Sequence, residues 1–323
     1  MITFFTTAKP FDGENRIRQV NAIRSWQALH SDVEVLLFGQ GAGYVETAAE
    51  LGLVHIPDVG INEFGVPRID SMVSLAAARG RHALQAYINC DIILLDDYLS
   101  AVKRIPFDRF LMVAQRFDVD ITAPIDFSSS AWATEMGRKA RAEGQKLSPC
   151  GIDVFLEKGR IWRDLPPMVV GRGMYDNWLI YYCRSQGIPV VDGTDVVTIV
   201  HQNHDYTHIA GGKRTVEVGD EASRNLQLGG GYRHLFTIQD SDWKMTVGGL
   251  YRNWYRGDSK RCGEVFEILH EDQPALRLRL GRCIVEATCE WIARWRMAVN
   301  GQLLPSCKYP GWLVRRFFKG VAN

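Results

Sequence analysis

An asparagine and an aspartate interrupt the apolar stretch Tyr87–Leu95. The stretch reads Tyr-Ile-Asn-Cys-Asp-Ile-Ile-Leu-Leu and is typical of a buried strand. An ionised carboxylate in such a strand must be paired or bound to a metal, so Asp91 needs a partner that its apolar neighbours do not supply. Since side chains two positions apart in a strand point to the same side, Asn89 and Asp91 are expected to converge on one ligand, with Cys90 on the other side.

The ligand that best suits these two residues is a hard divalent cation. Carboxylate and amide oxygens bind Mg²⁺ or Mn²⁺, and Mg²⁺ takes only one or two protein carboxylates and leaves its other positions to water and phosphates. Asn89 and Asp91 therefore predict a cation at a nucleotide-diphosphate site. The alternative is that Asp91 caps the strand or pairs with a buried arginine.

A histidine cluster follows a later apolar strand. In His-Gln-Asn-His-Asp-Tyr-Thr-His, three of the chain's eight histidines fall within eight positions, namely His201, His204 and His208. Imidazoles at this place could complete a metal shell or contact a phosphate. A zinc hydrolase is the rival interpretation, because the three residues also have the helical spacing i, i+3, i+7. The sequence contains no H-E-x-x-H motif for such an enzyme.

Two segments combine glycine with acidic residues. Gly151 and Asp153 stand at the start of a predicted strand, where glycine permits a ligand to approach the backbone, although a simple turn into a strand would look the same. The Gly-Arg-Gly loop at 171–173 leads into an amphipathic helix with Asp176 in its first turn. The pattern by itself favours a helix-capping role for Asp176. As a catalytic base, the same carboxylate would have to reach an acceptor hydroxyl.

A glycine-rich turn between strand and helix offers a competing interpretation. Gly39-Gln-Gly41-Ala-Gly43, with Asp58 after the next strand, resembles the fingerprint of a dinucleotide-binding dehydrogenase. The third glycine of that fingerprint should fall at position 44, where Tyr44 would obstruct the close contact between helix and strand. This interpretation also leaves the Asn-Cys-Asp segment and the histidines unexplained.

The elements that carry these residues alternate between strand and helix. Such alternation predicts an α/β fold with a mostly parallel central sheet flanked by helices, and ligands bind such sheets beyond the carboxyl ends of the strands. Thr6, Thr7, Gly39, Asp58 and the Asn-Cys-Asp segment would all fall there. The predicted strands are Ile2–Thr6, Val33–Phe38, Leu53–Ile56, Tyr87–Leu95, Phe110–Gln115, Ile152–Leu156 and Val196–Val200, and the predicted helices are Arg16–Leu29, Tyr44–Leu51, Ile69–Leu84 and Tyr175–Ser185.

Composition excludes several classes of protein. With 323 residues, 46% hydrophobic, 23% charged and a net charge of +1, the chain is typical of an ordinary globular protein rather than a disordered or nucleic-acid-coating one. The sequence shows no signal peptide and no apolar run of the roughly 18 residues that a membrane span needs, which predicts a cytoplasmic protein. Seven cysteines without a C-x-x-C pair argue against a disulfide framework or a structural zinc site and are interpreted as buried thiols.

A glycine- and charge-rich region near 210–221 predicts a boundary between a first domain, 1–212, and a mainly helical extension, 213–323. Between Arg277 and Lys319, nine basic residues face two acidic ones, a net charge of +7, with tryptophan and phenylalanine interleaved. This pattern suits peripheral contact with the inner face of an anionic membrane. It suits equally an amphipathic helix, predicted over 274–299, that packs on the first domain. Nucleic-acid binding is disfavoured because no recognisable module is present.

Together, these segments resemble the glycosyltransferase-A superfamily of nucleotide-diphospho-sugar transferases. The resemblance covers about residues 1 to 212 and follows the order of that fold. Its motifs are the first strand ending in Thr6-Thr7-Ala8-Lys9-Pro10, the D-x-D-like Asn89-Cys90-Asp91, the glycine at Gly151, the acid in Tyr175-Asp176-Asn177-Trp178, and a histidine of His201-Gln202-Asn203-His204-Asp205-Tyr206. Asn89 departs from the aspartate of many relatives and removes one negative charge from the site.

The resemblance implies a metal-assisted transferase that moves a sugar from a nucleotide-diphosphate donor to a hydroxyl of a glycan or lipid-linked acceptor in surface-glycan synthesis. It implies that Asp91, with His201 or His204, binds Mn²⁺ or Mg²⁺, and that Asp176 is the base of an inverting reaction. A non-catalytic sugar-nucleotide-binding protein is the alternative. The remaining implied residues are Arg172 as a catalytic cation and, around the donor, Thr6, Thr7, Lys9, Gly39, Asp58, Arg68, Asn89, Gly151 and Asp153.

Overall fold

The computed structural model describes residues 1–204, 212–253 and 259–272, with the side chains of Lys213 and Ser259 left out. One compact unit comprises Met1–Arg184 and Ile188–Arg252, and it contains both sheets. The helices of this unit are α1 Gly13–Ala28, α2 Tyr44–Leu51, α3 Ile69–Arg79, α4 Asp97–Val102, α5 Trp132–Glu143, α6 Tyr175–Ser185, α7 Gly212–Val218 and α8 Asp220–Leu228. A second unit contains α9 Ser259–Asp272.

Thirteen strands form these two sheets of the described chain. They are β1 Ile2–Thr7, β2 Val33–Phe38, β3 Val54–Ile56, β4 Leu84–Ile88, β5 Ile92–Leu94, β6 Phe110–Val113, β7 Arg116–Val119, β8 Gln145–Lys146, β9 Val154–Lys158, β10 Val190–Asp192, β11 Ile199–Gln202, β12 Trp243–Thr246 and β13 Gly249–Arg252.

The large sheet is mostly parallel, which confirms the predicted α/β architecture. Its nine strands run in the order β13-β12-β10-β6-β9-β4-β1-β2-β3. β1 pairs in parallel with both β2 and β4, and β10 does so with both β6 and β12. β9 is antiparallel to β4 and β6, and β13 is antiparallel to β12. The carboxyl ends of β1 and β4 therefore meet at one edge, where the start of β9 joins them.

The predicted strand Tyr87–Leu95 is wrong as a single element. The chain leaves the large sheet at the end of β4 and enters the small sheet, of order β5-β11-β7-β8, as β5. Between them, Asn89 to Asp91 form a turn that is closed by a hydrogen bond from the Ile92 amide to the Asn89 carbonyl, at 3.2 Å. Asparagine and aspartate favour turns because their side chains bond to nearby groups. The Asn-Cys-Asp segment thus marks a change of sheet.

The predicted helix Ile69–Leu84 is also too long. α3 ends at Arg79, because Gly80 turns the chain into an extended conformation. The Gln85 side-chain amide then donates to the Ala76 carbonyl at 2.8 Å, and β4 begins at Leu84. The Ala76 carbonyl also accepts from the Gly80 amide at 2.8 Å, so the buried glutamine adds a second hydrogen bond at the helix end.

Buried polar residues of α1 connect the core to the edge of the sheet. Gln19 exchanges two hydrogen bonds with the backbone of Lys9, at 2.7 and 3.1 Å. Asn21 donates to the side chain of Gln202 at 3.1 Å. Trp26 is fully buried and donates to the Ile92 carbonyl at 2.7 Å. Because buried polar groups need partners, these bonds fix the ends of β1 and β11 and the start of β5 against one helix.

The chain beyond residue 212 completes the large sheet. β12 pairs with β10 in parallel, and β13 forms the edge strand. The predicted boundary after residue 212 therefore falls inside the first compact unit, which continues to Arg252. The predicted helix over 274–299 and the basic stretch up to Lys319 lie outside the described residues. None of the helices that the structure describes is long and apolar enough to cross a membrane.

Tyr44 fastens α2 to the end of β1. Its side chain is buried, and its hydroxyl accepts a hydrogen bond from the Ala8 amide at 3.0 Å and donates to the Ala8 carbonyl. We expect Tyr44→Phe to lower the free energy of unfolding by about 1 to 3 kcal/mol, because both backbone groups lose their partner. Urea unfolding measures this loss. The exposed Tyr232 is the control, since Tyr232→Phe should have no measurable effect, and equal losses in both variants would contradict the expectation.

Candidate metal site in a polar cavity

A cavity of about 940 Å³ opens at the edge where β1 and β4 end. The end of β11, the residues just before β9 and the first turn of α6 also contribute to its wall. This position beyond the carboxyl ends of parallel strands is where the alternating pattern predicts a ligand site. Of the residues predicted for the site, the cavity wall contains Thr7, Lys9, Asn89, Asp91, Gly151, Asp153, Arg172, Asp176, His201 and His204.

Three of these side chains form a cluster that could hold a metal ion. One ligand atom each from Asp91, His201 and His204 lies within 4.8 Å of the other two. The Oδ2 atom of Asp91 is 3.1 Å from Nε2 of His204 and 3.6 Å from Nε2 of His201. Its Oδ1 atom is shielded from solvent and has no hydrogen-bond partner. A buried carboxylate oxygen without a partner is costly, so the cluster suits a cation.

The cluster is electrostatically coupled. Burial favours a higher pKa for Asp91, but the charges and hydrogen bonds of His201 and His204 outweigh it and hold the pKa well below its usual range. Burial likewise favours a lower pKa for His201, but Asp91 and Asp118 outweigh it and raise the pKa to about 9. Without a cation, His201 is therefore charged and paired at neutral pH. A metal ion must displace that proton, so binding releases it.

The geometry of β11 explains how the two histidines meet. His201 lies on the strand and His204 follows its end, so the helical spacing with His208 does not bring them together. β11 is held between β5, where His201 pairs with Ile92, and β7, where His201 pairs with Asp118. This pairing places His201 beside the turn that carries Asp91. His208 lies outside the described residues.

Two residues of the site escaped prediction. Arg116 and Asp118 on β7 both line the cavity. The guanidinium of Arg116 donates from Nε to Asp118 Oδ1 at 2.8 Å and from Nη1 to Asp153 Oδ2 at 2.6 Å. Their one local signal is alternation: they stand two apart on a strand, with Phe117 between them packed on the small apolar core.

Asn89 belongs to this network rather than to the metal cluster. Its Nδ2 atom donates to Asp153 Oδ1 at 2.7 Å, and its Oδ1 atom accepts from the Tyr87 hydroxyl at 2.9 Å. In the turn, Asn89 and Asp91 thus have different partners, unlike the shared ligand that a strand would give them. Its predicted contact with the donor stays a prediction.

Asp176 lies in the first turn of α6, and its Oδ1 atom is shielded without a hydrogen-bond partner. Burial, with a smaller contribution from the charge of Asp153, raises the pKa of Asp176 to about 7. Met174, two residues before Asp176, has a φ of 82°, which is strained for a residue with a side chain. A carboxyl group with a pKa near neutrality in a cavity wall is suited to take a proton at physiological pH.

Arg172 reaches the cavity but is already paired. Its Nε atom donates to Glu221 Oε2 at 2.6 Å, and Nη1 donates to the Gly171 carbonyl at 2.9 Å. The ion pair joins the loop before α6 to α8. A role for Arg172 in charge stabilisation requires that the ligand compete with Glu221, and that role stays a prediction.

Four residues predicted to contact the donor lie outside the cavity wall. Thr6 is buried, and its hydroxyl donates to the Thr7 carbonyl at 3.0 Å. Gly39 has a φ of 98° and its amide donates to the Ile56 carbonyl. Asp58 is exposed. Arg68 donates to Asp70 from Nη2 at 2.7 Å.

No protein-family model matches the chain, and no curated protein matches it. A mannosyltransferase from Pyrobaculum calidifontis, solved with GDP-mannose and Mn²⁺, is 14% identical over 62% of this chain and 56% of its own, with a TM-score of 0.38. Glucosyl-3-phosphoglycerate synthase from Mycobacterium tuberculosis, solved with Mn²⁺, UDP-glucose and phosphoglyceric acid, is 16% identical over 72% and 80%, with a TM-score of 0.42.

Proposed function

We propose that this protein is a glycosyltransferase that moves a sugar from a nucleotide-diphosphate donor to an acceptor hydroxyl, assisted by a divalent metal. One observation carries the proposal: the Asp91, His201 and His204 cluster and the Asp176 carboxyl share the wall of one polar cavity. The first supplies a place for a cation that neutralises a diphosphate. The second supplies a base with a pKa near 7. Together they would neutralise the leaving group and take up the proton when a hydroxyl displaces a nucleoside diphosphate.

Each residue group has one task in the proposed reaction. Asp176 accepts the proton of the acceptor hydroxyl, whose oxygen forms a bond to the anomeric carbon of the sugar. The bond from that carbon to the diphosphate oxygen breaks, and the leaving nucleoside diphosphate keeps the electron pair. A bound cation would stabilise the charge on this leaving group. Lys9 stands on the same wall, with its Nζ atom 3.5 Å from His204 Nδ1, and adds positive charge there.

The candidate metal ligands favour Mn²⁺ over Mg²⁺. Two of the three candidate ligands are imidazoles, and imidazole suits transition metals, whereas Mg²⁺ prefers oxygen. Two histidines and one carboxylate with open positions also fit a zinc hydrolase, which is therefore the second candidate. A dehydrogenase is disfavoured, because the Tyr44 ring lies against Gly41 in the glycine-rich turn. The Tyr44 hydroxyl also bonds to Ala8, just after β1, which holds the ring in that place. We further propose a glycan or a lipid-linked acceptor, and this part of the proposal rests on the sequence resemblance alone.

Binding and hydrolysis of nucleotide sugars test the proposal. We expect Mn²⁺ to bind the purified protein in calorimetry, and a nucleoside diphosphate or its sugar to raise the melting temperature only when Mn²⁺ is present. Slow hydrolysis of the same donor would establish catalysis. Binding without hydrolysis or transfer would indicate the non-catalytic sugar-nucleotide-binding protein. Tight binding of Zn²⁺ with no stabilisation by any diphosphate would overturn the proposal in favour of the hydrolase.

A further inference from the structure

The imidazole of His201 stands between two carboxylates. Its Nε2 atom is 3.6 Å from Asp91 Oδ2, on the side of the metal cluster, and its Nδ1 atom is 3.1 Å from Asp118 Oδ1. The ring is buried, with 8% of its side-chain surface exposed. Asp118 is not one of the three candidate ligands. It contacts the cluster through His201.

A histidine that binds a metal must present a nitrogen without a proton. In the neutral ring one nitrogen carries the proton and the other is free to bind, and the hydrogen bond of the first decides which is which. The negative charge of Asp118, 3.1 Å from Nδ1, attracts the proton to that nitrogen, although the contact is not aligned as a hydrogen bond in this structure. This arrangement leaves the Nε2 atom of His201 free on the side that faces Asp91.

Asp118 is itself held in place. Arg116 binds its Oδ1 atom from Nε at 2.8 Å, and binds Asp153 from Nη1 at 2.6 Å. The Arg116 side chain is only 14% exposed. A buried guanidinium that spans two carboxylates has little freedom, because its planar fork fixes the direction of each bond.

We propose that Asp118 is a positioning residue that fixes the tautomer and orientation of His201 for metal binding. This inference rests on the proposed metal site. The competing role for Asp118 is purely structural: it would do no more than neutralise Arg116. The two roles differ in which property of residue 118 matters, since positioning needs a hydrogen-bond acceptor and neutralisation needs a negative charge.

Calorimetric titration of the full-length protein with MnCl₂ separates these roles. We expect Asp118→Ala to weaken Mn²⁺ binding by about 10- to 100-fold, which is the usual effect of losing a carboxylate behind a metal-binding histidine. We expect Asp118→Asn to recover most of that loss, because its amide oxygen can still accept from Nδ1. Asp120→Asn is the matched control: Asp120 is exposed two residues further on, bonds to Asn203 and lies outside the cavity wall.

Each outcome decides between the explanations. Equal losses of Mn²⁺ affinity in the alanine and asparagine variants, or Mn²⁺ binding by Asp118→Ala as tight as in the wild type, would overturn the positioning role. If Asp118→Ala fails to fold, the asparagine variant still decides, since a full loss of affinity in a folded Asp118→Asn protein contradicts the role. A wild-type protein that binds no Mn²⁺ would instead overturn the proposed metal site, and this inference with it.

Discussion

Asp91→Asn is expected to weaken Mn²⁺ binding by at least about 100-fold and to abolish metal-dependent hydrolysis of the donor. A direct ligand contributes more than the carboxylate behind a ligand, whose loss alone costs 10- to 100-fold. The amide keeps the shape of the side chain but removes the charge between His201 and His204. Calorimetry with MnCl₂ and a donor-hydrolysis assay measure the two effects.

The backbone around Asp91 should survive the substitution. The Asp91 carbonyl accepts hydrogen bonds from the amide and the side chain of Gln202, at 3.2 and 3.1 Å, and neither bond involves the Asp91 carboxylate. The variant does lose the attraction between that carboxylate and two imidazoles, so its metal-free form should melt at a lower temperature.

Asp96→Asn is the control for this experiment, because Asp96 is exposed at the start of α4 and lies outside the cavity wall. Mn²⁺ binding and donor hydrolysis should both stay at the wild-type level in this variant. A folded Asp91→Asn protein that binds Mn²⁺ like the wild type would exclude Asp91 as a ligand.

The fold followed from the sequence where the local pattern and the tertiary context agree. β2 and α2 have the predicted bounds, because Val33–Phe38 is apolar apart from Glu34 and Gly52 takes the left-handed conformation that ends a helix. At Tyr87–Leu95, the local pattern and the tertiary context disagree. Its composition resembles one strand, and only long-range pairing reveals two: β4 aligns with β1 and β9, whereas β5 aligns with β11.

The candidate site was predictable in part for the same reason. Asp91 stood out as a charge in an apolar run, and the histidines stood out by density. Arg116 and Asp118 did not, because alternating polar residues on a short strand are also typical of a solvent-exposed face. Both side chains instead line the cavity, where Arg116 pairs with Asp153 and Asp118 pairs with His201. These ion pairs join residues of separate segments, so they depend on the topology of the sheets and cannot be predicted from local spacing.

We expect ionisation of Asp176 to have the largest effect on how the transfer rate depends on pH. Burial raises the pKa of this carboxyl to about 7, and only the ionised form can accept the proton of an acceptor hydroxyl. The rate of transfer at saturating Mn²⁺ and donor should therefore rise with pH, with a midpoint near 7, and then level off. Asp176→Asn should lower kcat by about 10²- to 10⁴-fold and remove the midpoint from the profile. Rates measured between pH 5.5 and 8.5 check both effects.

Stability provides a second measurement at Asp176 that needs no substrate. Since its pKa is raised in the folded state from an ordinary value of 3.8, the folded protein holds this proton more tightly than the unfolded chain does. The favourable contribution is therefore present at low pH and is lost as the pH rises through about 7. Asparagine stays neutral throughout, so Asp176→Asn should gain stability relative to the wild type between pH 5.5 and 8.5.

Urea midpoints of the two proteins at pH 5.5 and 8.5 measure this change, and the exposed Asp108 provides the control, since Asp108→Asn should show no such trend. A constant difference between Asp176→Asn and the wild type at both pH values would mean that the carboxyl titrates normally. A kcat midpoint near 7 would then have to come from another group. If the difference grows with pH while the kcat profile of the variant keeps its midpoint, Asp176 is buried and protonated but is not the base.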